Sequence, residues 1–150
     1  MAESRGLVVA MELSERQRDA AAQRLGQVRR TCQSALNQLE QLQGYAQETE
    51  QKFLRRGQAG TVGEIVKHHT QFMARLDHTI EIQRQTVADH EQGVQEAERE
   101  LLCCELRLTS LRQVLQRRQH QQLLGQMRRE QKETDEIAAL RFRMSQQAEH

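Results

Sequence analysis

Stepping alternately by four and three residues from Met73 meets Leu76, Ile80, Gln83, Val87, His90, Val94, Ala97, Leu101, Cys104, Leu108, Leu111 and Leu115. Only Gln83 and His90 depart from apolar character, and the steps never slip. A hydrophobic repeat of 3.5 residues held this long keeps one stripe of a helix turned toward a partner helix, the signature of a coiled-coil seam. No Pro occurs anywhere in the 150 residues to break it. The possible folds are therefore set by what covers that stripe.

A second run of the same kind lies upstream: Leu25, Val28, Cys32, Ala35, Leu39, Leu42, Ala46, Thr49 and Phe53. Continued toward the N-terminus it meets Ala21, Arg18, Ser14, Met11 and Leu7, a leakier seam. The spacing predicts a first helix over about 7–56. Gly26 and Gly44 fall inside it, each costing about 1 kcal/mol relative to Ala. Between the two runs, Gly57, Gly60 and Gly63 concentrate glycine within seven residues, preceded by Arg55 and Arg56. Glycine just past the last periodic residue, with basic residues in the last turn, marks a helix C-terminus. Thr61 with Glu64 three residues on reads as a capping box that starts the next helix. The turn is thus placed at 57–63 and a second helix at about 62–142, with bends at Gly93 or Gly125 as options. Residues 143–150 read as a disordered or frayed tail.

A short turn between two heptad helices gives an all-α fold: two long helices forming an antiparallel coiled-coil hairpin, as a single domain over 1–150. Folding about the turn pairs residues whose numbers sum to about 118, which sets Leu42 near Leu76, Leu39 near Ile80 and Leu25 near Val94. At about 1.5 Å per residue the first helix spans about 75 Å and the second about 120 Å. Leu7 then falls opposite Leu111, and the chain beyond Leu115 is a protruding C-terminal helix without an intramolecular partner.

Composition narrows the function classes. Ala, Glu, Lys, Leu, Arg and Gln dominate; there is no Trp, one Tyr and three Phe. Such a chain buries a narrow seam rather than a thick core. A net charge of +1 gives no reason to expect nucleic acid or an anionic membrane as partner. No signal peptide, membrane span or direct membrane insertion is expected, because the apolar run at residues 7–11 is short and leads into Glu12 and Glu15. Cys32, Cys103 and Cys104, odd in number and without framework spacing, read as reduced thiols of a cytoplasmic protein. His68, His69, His78 and His90 lack the spacing of a helical zinc site, so no metal and no cofactor are expected. No phosphate loop, Cys-x-x-Cys motif or nucleophile-base arrangement occurs, and two helices offer no cleft for one, so the chain is not read as an enzyme.

Two surfaces stand out. Beyond Leu115 the chain keeps Leu123, Leu124, Met127, Ile137, Ala138, Leu140 and Phe142 among Arg117, Arg118, Arg128, Arg129, Lys132, Arg141 and Arg143. That stretch is either a solvated end or a helix that lays its apolar side on a partner. Near the turn, Gln38, Tyr45, Phe72 and Thr79 each precede a seam residue. Tyr45 and Phe72 should meet across the helices, joined by Leu42 and Leu76, either widening the core or forming a binding patch.

Leu25-Gly26-Gln27-Val28-Arg29-Arg30 with Cys32, the stretch from Gln38 to Tyr45, Ala59-Gly60 and Gln71-Phe72 together resemble the flagellar FliJ family of type III export proteins over nearly the whole chain. The resemblance implies a coiled-coil stalk similar to the central subunit of rotary ATPases. It would bind the flagellar export ATPase ring, the export-gate protein FlhA and export chaperones. Carried over by motif, the gate-binding surface would be Gln38, Leu42, Tyr45, Phe72 and Leu76; Thr49, Thr79 and Gln83 depart from the family's pattern. Contact with the ATPase ring would fall on Leu123, Leu124, Met127, Ile137 and Leu140. The resemblance further implies a monomer in isolation, peripheral at the cytoplasmic face of the inner membrane at the flagellar base. The alternatives are a self-associating structural coiled coil, or the equivalent stalk protein of a virulence-type secretion system.

Overall fold

The computed structural model describes residues 2–57 and 62–149, with side chains from Ser4 onward. It contains two helices, α1 (Ala2–Gly57) and α2 (Gly63–Ala148), and no strand among the described residues. Thr61, expected as a cap, and Ala59-Gly60 lie outside the described residues. The first bonds of α2 are accepted by the Val62 carbonyl, from the amides of Ile65 at 3.0 Å and Val66 at 3.3 Å. α2 passes through Gly93 and Gly125 as one helix.

The helices extend past the expected ends, from about Leu7 back to Ala2 and from about Phe142 on to Ala148. No glycine or proline lies between Phe142 and Ala148 to stop the second. The contacts divide the chain into two units: Gln17–Cys104, and the first sixteen residues together with the chain from Glu105 onward.

Within Gln17–Cys104, α1 and α2 run antiparallel. Every seam residue from Ala21 to Phe53 and from Met73 to Cys104 is buried or half-buried. The deepest are Ala21, Leu25, Cys32 and Ala35 on α1, facing Leu76, Ile80, Val87 and Ala97 on α2. Small residues on α1 let the larger side chains of α2 approach closely. Gly93 marks one such approach: a Cβ there would lie 3.6 Å from Val28 Cγ1. Gln83, polar in the seam, is satisfied by α1, its Nε2 donating to the Ala35 carbonyl at 2.9 Å and to Gln38 Oε1 at 3.3 Å.

The register differs from the expected one. Phe53 stacks on His69, ring centroids 3.7 Å apart, and both are seam positions whose numbers sum to 122. The flanking pairs Tyr45–Phe72 and Arg29–Glu98 fall evenly on either side of that value. The pairing is thus offset by four from the sum of 118, setting Leu42 across from Ile80 rather than Leu76. α1 persists to Gly57 and α2 begins only at Gly63, so the fold-back centre lies later in the chain. Arg24 donates to Glu100 at 2.6 and 2.5 Å and Arg29 pairs with Glu98 at 3.2 Å. The hydrogen bond and charge of Glu100 raise the pKa of the Arg24 guanidinium. Such exposed pairs select register more than they add stability.

In the other unit the start of α1 lies along α2. Leu108, only 2% exposed, is its deepest residue, with Ser14 buried on α1. Arg112 reaches Glu15 at 3.4 Å. Leu111, Leu115 and Arg118 remain half-buried, and Ser4 and Arg5 line a cleft that α2 borders as far as Arg129. Coverage therefore reaches past Leu115, because α1 begins at Ala2. From Gln126 to Glu149 every side chain is exposed.

Gly44 offers a simple test of helix energetics. A Cβ there would meet nothing within 4 Å. Gly44→Ala should raise stability by about 0.5–1 kcal/mol, read as a higher urea midpoint with an unchanged slope.

Candidate functional site

Two surfaces were singled out by the sequence, and each belongs to one unit. On the flank beside the turn, Tyr45 and Phe72 meet edge to face, centroids 6.2 Å apart and rings at 83°. Both precede a seam residue, and in an antiparallel pair these positions face each other. Phe72 is half-buried, whereas Tyr45 is 52% exposed. Aromatic rings held this way keep a broad apolar face toward solvent at low conformational cost.

The other three residues of this set sit differently. Leu42 is half-buried in the seam and Leu76 is buried in it, rather than on the exposed flank. Gln38 is exposed on the Tyr45 flank, its amide oxygen accepting from Gln83. Thr49 and Thr79 turn their hydroxyls back onto their own helix, donating to the carbonyls of Tyr45 at 2.8 Å and Arg75 at 3.0 Å.

One step of four back from Met73 reaches His69, a seam position. In the structure its ring stacks on Phe53 at 4° and its Nε2 lies 3.1 Å from Glu50 Oε2. That cross-helix contact closes the seam beside the turn. The expected register set Phe53 across from Ile65, so this pairing was not foreseen. Among the described residues no three His, Cys, Asp or Glu side chains converge as a metal site requires.

The second surface is the far part of α2. Leu123, Leu124, Met127, Ile137 and Leu140 are all exposed, as are Phe142 and Met144. Continuing the seam register past Leu115 meets Arg118, Gln122, Gly125, Arg129, Lys132 and Glu136, so the seam itself turns polar. The apolar residues have moved: Leu123, Met127, Ile137 and Met144 share the side of α2 opposite the seam. On α1 in the same unit, Val9 and Leu13 are exposed too, again away from the seam. Between Glu105 and Glu130 there is no carboxylate, while Arg107, Arg112, Arg117, Arg118, Arg128 and Arg129 occupy five different heptad positions. Positive charge therefore lies on the seam side and its flanks, and none of these arginines falls on the side of Leu123 and Met127.

The family model described as "Flagellar FliJ protein" matches residues 6–147. The chain is 30% identical over 138 residues to the flagellar FliJ protein of Escherichia coli (strain K12), covering 92% of this chain and 94% of that one. No solved structure matches it.

Proposed function

The chain belongs to the flagellar FliJ family, and from that premise we propose that it is a non-catalytic stalk and adaptor of flagellar protein export. The far part of α2 seats in the export ATPase ring. The Tyr45–Phe72 flank docks on the export-gate protein FlhA, and the chain escorts export chaperones between the two. It works as a monomer at the cytoplasmic face of the inner membrane, held there by its partners. No described helix is long and apolar enough to cross a membrane.

The observation that carries this reading is the change of surface along α2. Up to Leu115 the seam of α2 is largely apolar and buried or half-buried; past it the seam positions turn polar or basic, while Leu123, Met127 and Ile137 are exposed on the opposite side. An isolated helix gains little from propensity alone and is marginal in water. A long helix exposed from Gln126 onward, with leucines and methionines on one side and arginines mostly on the other, suits a partner that encloses it, such as the lumen of a ring.

Adding the purified chain to its cognate export ATPase should promote ring assembly and raise ATP hydrolysis. No change in either would refute the ring-binding part of the proposal. The gate part has its own test: Tyr45→Ala should weaken binding to the soluble domain of the gate protein by about ten-fold in a direct titration.

A further inference from the structure

The first two turns of α2, with Val62 just before them, carry an apolar stripe on and beside the seam register that α1, ending at Gly57, leaves exposed. Val62 is 65% exposed, Ile65 53% and Val66 42%. Spaced i, i+3 and i+4, they share one side of the helix. The same side continues through His69 to Phe72; Ile65 and Phe72 are seven residues apart, two turns and about 10.5 Å along the axis.

Helix propensity does not account for these residues. Val and Ile are poorer helix formers than Ala by about half a kcal/mol each, and solvent-facing β-branched side chains recover none of that by packing. Charge around the stripe is one-sided. Lys52, Arg55, Arg56 and Lys67 lie in the adjoining turns of the two helices against a single carboxylate, Glu64, in residues 52–57 and 62–69. Glu50, just outside, is engaged by His69.

We infer that the docking surface opened by Tyr45 and Phe72 continues toward the turn over Ile65, Val66 and Val62. Its occupant is an apolar protein segment bordered by acidic side chains. The inference rests on reading the Tyr45–Phe72 flank as gate-facing, and it adds the turn-side half of that surface. Continuity along one side of α2 supplies the apolar match, and the basic rim supplies the charge preference.

The test uses the full chain and the soluble domain of the cognate gate protein. Ile65→Asp should weaken binding by about ten-fold or more, while Ile65→Leu keeps wild-type affinity. Arg55→Glu with Arg56→Glu should weaken it further and flatten its salt dependence. Circular dichroism melts of each variant separate lost contact from lost helix. Wild-type affinity in Ile65→Asp, with binding still lost in Tyr45→Ala, would overturn the extension and leave the gate reading standing. If the wild-type chain itself fails to bind, both fall. If Ile65→Asp instead abolishes self-association or adsorption to anionic vesicles, with gate affinity unchanged, the occupant is a second copy or a lipid surface and the inference is overturned.

Discussion

Leu108→Ala should destabilise the chain by about 2–3 kcal/mol, a drop of about 30- to 150-fold in the folding equilibrium. Leu108 is the most deeply buried side chain among the described residues, 2% exposed. Truncating it removes the transfer energy of three carbons and leaves a void between two helices. That void is open to partial collapse, because a two-helix seam has no third layer to hold it apart, which places the cost near the low end for buried leucines. Leu106, two residues earlier, is 59% exposed. Leu106→Ala should change stability by less than about 0.5 kcal/mol. Urea titrations followed at 222 nm would compare the two. Equal losses would mean that α2 is rotated about its axis in solution, away from the orientation that buries Leu108.

The contrast between those two leucines shows what the sequence made legible. Alternation by four and three separates Leu108 from Leu106 without any structure. The same rule identified the buried or half-buried seam from Leu7 to Phe53 and from Met73 to Leu115. It succeeded because a two-helix seam has one periodic requirement and no competing layers. Register was less legible. Many offsets satisfy an apolar stripe equally well, and four residues separated the inferred pairing from the one fixed by Phe53–His69 and Arg29–Glu98.

The Tyr45–Phe72 contact was legible because rare aromatics occupied facing flank positions. Its extension over Ile65 and Val66 was not. Aliphatic residues at a helix start look like seam until the partner helix is seen to end. The start of α1 was placed at Leu7, the first apolar seam residue, whereas the helix begins at Ala2; within its leaky heptads Ser14 is buried and Arg18 half-buried. A small or long-stemmed polar residue can occupy a seam, the long one by burying its aliphatic stem.

Removing residues 127–150 should leave stability nearly unchanged while abolishing stimulation of the export ATPase. The stability half follows from exposure: every side chain from Gln126 to Glu149 is exposed, so the deletion removes no buried side chain. The urea midpoint should stay within error of the full chain, and the helical signal should fall in proportion to the residues removed. The functional half follows from the proposal, since Met127, Ile137 and Leu140 leave with the segment whereas Tyr45 and Phe72 remain. Gate binding should therefore persist in the same truncated chain. A deletion that spared ATPase stimulation would move the ring contact to the outward residues Val9, Leu13, Leu123 and Leu124. A deletion that lowered the urea midpoint by more than about 1 kcal/mol equivalent would mean that the segment packs on the chain in solution. Loss of one binding activity with retention of the other would show that the two surfaces act separately, as an adaptor requires.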